Sequence, residues 1–173
     1  MRRMIFIGAL LALVVLPATG GAANAGDRAR AVNDCRALKE SMGRATFRAT
    51  FGRAPMARCI RQMTAEEAEN RAQAVADCRA EREADPDAFK ETYGTGPNGR
   101  NAFGKCVSTK RRAESREDRA DIRNAAQECK AEREEWGVDV FREEYGKNEN
   151  GRNAFGKCVS QKARAADEEP VTA

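Results

Sequence analysis

The sequence predicts an all-α protein of three disulfide-stapled repeats. Each repeat is a helix, a turn and a short helix, and helical connectors join them into an elongated chain. Three observations predict this. Residues 99–108, GRNAFGKCVS, recur unchanged at 151–160, 52 positions further on; identity over ten residues marks an internal duplication, so the repeat comes before any assignment of fold. Six cysteines, Cys35, Cys59, Cys78, Cys106, Cys129 and Cys158, divide the chain into three similarly patterned units. Large apolar residues are scarce: beyond residue 25 there are one Leu, two Ile, seven Val and six Phe, 16 of 148 residues. That lies well under the roughly 20% at which a chain begins to lose the means to fold. One large core cannot be built from so few, whereas three small cores, each with a covalent staple, can be.

Residues 1–25 read as a signal peptide. Arg2 and Arg3 supply the positive start, residues 5–16 an apolar run of twelve, Pro17 a break, and Ala23-Asn24-Ala25 a small-residue cleavage site before Gly26. Twelve apolar residues are too few to span a bilayer, which needs about 20, and no cysteine directly follows the cut to carry a lipid. The expected mature chain starts at Gly26 and is secreted or extracytoplasmic, with no transmembrane segment. Losing Arg2 and Arg3 leaves 29 basic against 27 acidic residues. So balanced a chain has no global attraction for nucleic acid, and no specific nucleic-acid recognition is expected.

The first unit, within residues 26–63, is a degenerate copy. Val32, Cys35, Leu38 and Met42 recur at spacings of three and four, one face of a helix. Phe47-x-x-x-Phe51-Gly52 follows. The second unit, 64–110, and the third, 111–162 with its leading connector, both carry Cys-(Arg/Lys)-Ala-Glu-Arg-Glu. Then come Phe89-x-x-x-Tyr93-Gly94 or Phe141-x-x-x-Tyr145-Gly146, and the repeated loop. From first cysteine to Phe the separations are 12, 11 and 12 residues; from Gly to second cysteine they are 7, 12 and 12. The length variation therefore sits in the last loop.

Within the second unit, Asp85-Pro86-Asp87 offers an N-cap, a proline at the first helical position and an acid in the first turn. The short helix sets Phe and Tyr four apart on one face, and the following Gly suits a left-handed C′ position. Asn98-Gly99 and Asn150-Gly151 make turns that use positive φ, and the second cysteine begins the next helix. Thr64-x-x-Glu67 reads as a capping box, which would break the first connector after Met63. Residues 163–173 read as a frayed, disordered acidic tail.

The connectors, Cys59 to Cys78 and Cys106 to Cys129, are 19 and 23 residues long. They differ by about one helical turn, which preserves the face on which the next unit emerges. As continuous helices they span about 28 and 35 Å at ~1.5 Å per residue. Cysteines so far apart cannot bond, because a disulfide needs Cα atoms within about 7 Å. Of the 15 pairings that six cysteines allow, this leaves Cys35–Cys59, Cys78–Cys106 and Cys129–Cys158. An even number of cysteines fits an oxidising compartment.

The residue inventory argues against catalysis. There is no histidine, which removes His-based triads and most zinc sites. No Cys-x-x-Cys, P-loop or Rossmann glycine pattern occurs. The acidic residues lie mostly among Arg and Glu on helices, where a solvated face is the default. No cofactor and no metal are expected. Asn148-x-Asn150-Gly151 resembles half an EF-hand loop, but with Gly151 at position six the anchoring positions hold Gly146 and Lys157, and calcium has no acid to hold it.

Two surfaces are candidates for binding. In the repeated loop, Arg100 and Lys105, or Arg152 and Lys157, flank a Phe next to a helix N-terminus, where free N–H groups favour an anion. If the loops bind, replacing these four with Gln abolishes capture. The plainer reading is that Phe103 and Phe155 plug small cores, Gly104 and Gly156 turn the chain, and the charges are solvated. On the second connector Arg112, Arg116, Arg119 and Arg123 fall at spacings of four, three and four, within a stripe about 60° wide at ~100° per residue. Glu114, Glu117, Asp118 and Asp121 lie opposite. Such a helix is by default a solvated spacer; the sharper reading is a surface for a polyanion, or for another copy's acidic edge.

The Cys-x-x-Glu-Arg, Phe-x-x-x-Tyr-Gly and Asn-Ala-Phe-Gly-Lys-Cys-Val-Ser pattern resembles repeats in secreted bacterial proteins of uncharacterised function. The resemblance covers residues 78–160, with a degraded match over 35–59, and implies no particular activity. The sequence thus points to a secreted, non-enzymatic binding or spacer protein whose partner is an anionic envelope polymer or a protein. The alternative is a secreted enzyme or redox protein using carboxylates or a labile disulfide.

Overall fold

A computed structural model describes residues 22–96 and 98–168. The expected signal peptide, apart from its last four residues, and the end of the acidic tail lie outside that range. Six helices make up the described chain, and no strand occurs among the described residues: α1 (Ala25–Phe51), α2 (Pro55–Ala84), α3 (Pro86–Tyr93), α4 (Ala102–Trp136), α5 (Val138–Tyr145) and α6 (Ala154–Glu168). α6 thus carries helix into the segment read as a tail.

The three disulfides are Cys35–Cys59, Cys78–Cys106 and Cys129–Cys158, with Cα atoms 5.9, 6.0 and 6.0 Å apart. Each ties one long helix to the next, α1 to α2, α2 to α4 and α4 to α6, and all six sulfurs are sealed from solvent. Each pair runs antiparallel: Asp27 and Cys35 of α1 meet Arg71 and Cys59 of α2, the partner number falling as the first rises. The chain therefore goes up, down and up again. α1 and α4 end up parallel, with Asp27 on Arg111 and Asp34 on Arg119.

This reversal overturns the expectation of three separate cores. Units 1 and 3 lie at the same end and share one core, in which Leu38, Phe47, Phe51 and Met63 pack with Ile122, Phe141, Phe155 and Val159. Unit 2, at the other end, keeps a small core of its own: Cys78, Phe89, Ala102 and Cys106, with Tyr93, Phe103 and Val107 against it. Pooling two units offsets the scarcity of large apolar residues. Alanines buried on the long helices, such as Ala31, Ala68, Ala74, Ala125 and Ala126, let backbones approach closely and bury area with small side chains.

Local structure follows the sequence closely, with four corrections. The joint before each short helix is a single residue: Gly43 (φ 78°, ψ 159°) inside α1, Asp85 (φ −148°, ψ 94°), and Gly137 (φ 82°, ψ 161°). Asp85 caps α3, its carboxylate accepting from the N–H groups of Asp87 and Ala88 at 3.2 and 3.0 Å. Gly99 and Gly151 take positive φ, 55° and 59°. The first correction is that α2 is not broken at Met63; Thr64 donates its hydroxyl back to the Ile60 carbonyl instead of capping. Second, Gly94 and Gly146 are extended rather than left-handed. They must be glycine for lack of space: a Cβ on Gly94 would sit 2.4 Å from the Lys90 oxygen and 2.9 Å from the Gly99 Cα, and the figures at Gly146 are 2.3 and 2.9 Å. Third, Gly104 and Gly156 do not turn the chain; both lie in the first turns of α4 and α6. Fourth, those helices begin four residues before their cysteines, at Ala102 and Ala154.

Candidate functional site

The repeated loop is built to pack. Asn101 uses its side chain as a brace, accepting from Thr95 N at 3.1 Å and donating to Thr95 Oγ1 at 2.6 Å; Asn153 accepts from Lys147 N at 3.2 Å. Ala102 and Ala154 are buried, and their N–H groups donate to Gly99 and Gly151 carbonyls at 3.0 and 3.1 Å, so those donors are not open to an anion. Phe103 and Phe155 each lie under an arginine, Arg82 at 5.0 Å and Arg133 at 5.5 Å. Arg100, Lys105, Arg152 and Lys157 are exposed, and the two pairs belong to different ends of the molecule.

A repeated polar clamp was not evident from the sequence motifs. Tyr93 donates to Glu81 at 3.0 Å while Lys110 reaches the other oxygen of Glu81 at 2.7 Å. Tyr145, Glu132 and Lys162 repeat this at 2.9 and 2.7 Å, with Glu128 also on Lys162 at 3.0 Å. At the same positions in unit 1 stand Phe51, Leu38 and Met63, all buried. All three polar members are exchanged together for apolar ones, which leaves no partner stranded. Reading the three units in register would have found the clamp.

The second connector's basic stripe is divided by the structure. Arg119 is tied to Asp34 of α1. Arg112, Arg116 and Arg123 are exposed, and no ion pair holds them among the described residues. Arg116, Arg119 and Arg123 line an open groove of about 580 Å3 against Leu38, Glu40 and Ser41 of α1. The acidic edge faces elsewhere: Asp118 accepts from Asn70 of α2 at 2.7 Å. Asp118 and Asp121 line a second cavity of about 420 Å3 with Glu66, Glu69 and Arg164. Among the described residues no group of three or more His, Cys, Asp or Glu could hold a metal ion.

Beside the groove, three helices meet over a buried ionic network. Arg111, Asp27 and Glu67 are all buried. Arg111 Nη2 lies 2.6 Å from Asp27 and 2.7 Å from Glu67, and its Nε donates to Glu67 at 2.8 Å. Ser115 donates to the other Glu67 oxygen. Arg71 and the Asn24 N–H complete Asp27's partners at 3.2 and 2.8 Å. Burial pulls the Asp27 carboxyl upward, but the Asn24 and Arg71 hydrogen bonds and the Arg111 charge outweigh it and hold it below the usual range. Asp34 goes the other way: burial raises it, helped by the nearby Glu67 charge, and Arg119 offsets only part.

These directions give a pH dependence. Glu81 is lowered, chiefly by its hydrogen bond from Lys110. Glu132 is lowered because Lys162 and Tyr145 outweigh its burial. A carboxyl lowered in the folded state adds stability above its unfolded pKa and loses it as pH falls through the folded one; Asp34, being raised, opposes this. With three lowered groups against one, stability should fall as pH drops below the ordinary carboxylate range. Urea melts across pH 2–7 should show this, with a shallower acid limb for Glu81→Gln and Glu132→Gln; an unchanged limb would refute the clamp's role.

Comparison with protein-family models, curated proteins and solved structures yields no match to this chain.

Proposed function

We propose that the chain is an exported, non-enzymatic binding protein that holds anionic groups of an envelope polymer or protein in the groove between α1 and α4. One observation carries this reading: Arg116 and Arg123 flank the tethered Arg119 on an open concave surface, and neither has an ion-pair partner among the described residues. Two exposed cations about two turns apart on one helix suit sulfate, phosphate or carboxylate groups spaced along a polymer. The loop cations lie on packed scaffold and are the weaker surface. Sealed cystines and the lack of histidine support a binding role over redox or acid–base work. Three disulfides, together with no described helix long and apolar enough to cross a membrane, are consistent with export. Cleavage after Ala25 would remove the Asn24 cap and leave the Gly26 ammonium next to Asp27, a positive charge where the Asn24 N–H now donates.

The test is retention on a sulfated-polysaccharide column and on immobilised polyphosphate, using protein recovered after export, whose intact mass reads the Gly26 start. Binding should weaken steeply with salt, and the Arg116→Gln/Arg123→Gln double variant should lose about tenfold in affinity, the scale of two lost phosphate contacts. The Arg100→Gln/Lys105→Gln/Arg152→Gln/Lys157→Gln variant should keep most of it. No retention by the parent protein, or retention indifferent to salt, would overturn the reading.

A further inference from the structure

One face of the ten-residue duplicate is covered by another unit in the unit 3 copy and is uncovered in the unit 2 copy. In unit 3, Phe155 and Val159 are buried in the shared core. Gly156 lies against the end of α1 so closely that a Cβ there would sit 2.5 Å from the Thr50 carbonyl oxygen. In unit 2 the same face is open. Phe103 and Val107 are only partly buried, Gly104 is exposed, and a Cβ on Gly104 would meet nothing within 4 Å.

The molecule itself shows what fits this face: the C-terminal end of a short Phe-x-x-x-aromatic-Gly helix from another unit, presenting a threonine carbonyl. Thr50 follows Phe47 by three residues and precedes Phe51-Gly52. The same register in unit 2 places Thr92 three after Phe89 and before Tyr93-Gly94. Thr92 is exposed. Unit 2 thus carries both the open face and the element that covers such a face. Their neighbours Glu91 and Lys105 are exposed and opposite in charge. A surface holding both halves of a contact is self-complementary, the requirement for a closed two-fold dimer.

We infer that unit 2 is a self-association surface: Gly104 of one copy packs against the Thr92 end of α3 in a second copy, and reciprocally. The patch is one small unit, so the dimer is of the weak, transient class. This stands apart from the arginine groove, which lies on α1 and the middle of α4, so either can fail without the other.

The experiment is sedimentation equilibrium of the full exported chain at about 0.1 mM, where a micromolar Kd gives mostly dimer. The parent should sediment as a dimer. Gly104→Leu, placed where the monomer has open space, should sediment as a monomer with an unchanged melting curve. Lys105→Glu should weaken the dimer, and adding Glu91→Lys should restore it. A monomeric parent overturns the inference, and so does a dimer that survives Gly104→Leu or a charge pair that shows no rescue.

Discussion

Arg111→Ala should lower the free energy of unfolding by about 3–5 kcal/mol, the largest effect of any single charge substitution in this chain. The reason is the fate of its partners. Asp27 and Glu67 are buried, and with Arg111 gone Glu67 keeps the Ser115 hydroxyl and the Asp34 carboxyl as neighbours but no cation, while Asp27 keeps Arg71 and the chain's amino-terminal donor, the Asn24 N–H here and the Gly26 ammonium after the expected cleavage. Two carboxylates left in a dry place with incomplete compensation cost far more than the pair contributed. Urea denaturation at neutral pH would read the loss. The double variant Glu67→Leu/Arg111→Met should recover much of it, because it removes charge and partner together. Recovery would show that the network gives register between α1, α2 and α4 rather than net stability. An Arg111→Ala loss under 1 kcal/mol would instead mean that water reaches the site.

Removing the cystine of unit 2 should melt that unit locally, while removing the cystine of unit 3 should not. Loops of 28 and 29 residues predict nearly the same loss through the unfolded state, about 3.5 kcal/mol each. What differs is the remaining core. Without the bridge, unit 2 has Phe89 and Ala102 as its buried apolar residues, too few to hold an eight-residue helix that cannot stand alone. Unit 3 keeps Phe141, Phe155 and Val159 in a core shared with unit 1. In Cys78→Ala/Cys106→Ala, hydrogen exchange should therefore reach full rate over α3 and the loop to residue 101 while α1 and α6 stay protected. In Cys129→Ala/Cys158→Ala, protection should fall across the whole shared core together and the global midpoint should drop. Equal, local losses in both would restore the picture of three independent units.

The contrast between these predictions shows what the sequence could and could not reveal. Cysteine pairing was legible because each pair brackets one patterned unit and a helical connector holds it away from the next, and Asp85, Gly99 and Gly151 were legible because their chemistry is local. The return of α4 along α2 was not, for no short stretch records that two connectors lie side by side. Arg111 and Arg112 are neighbours of the same type, yet one is buried on two carboxylates and the other is exposed; the difference comes from Asp27, 84 residues away. The basic stripe was legible as a stripe, but which of its members would be held by Asp34 was not. Phe103 and Phe155 make the point most directly: their immediate sequences are identical, and only the presence of unit 1 beneath Phe155 separates them.

The order in which the cysteines are joined bears on how the chain can be assembled. First pairs with second, third with fourth, fifth with sixth. A polypeptide that emerges amino end first and is oxidised as it emerges meets each correct partner before the next thiol arrives, so rapid indiscriminate oxidation still yields the native set without reshuffling. Packing keeps a different timetable. Unit 2 is complete soon after residue 107, whereas the core of unit 1 waits for Phe155 and Val159, about a hundred residues after its own bridge can close. For that interval the first unit is covalently finished but only half covered, and its exposed Leu38, Phe51 and Met63 are where a nascent chain would aggregate or recruit a chaperone.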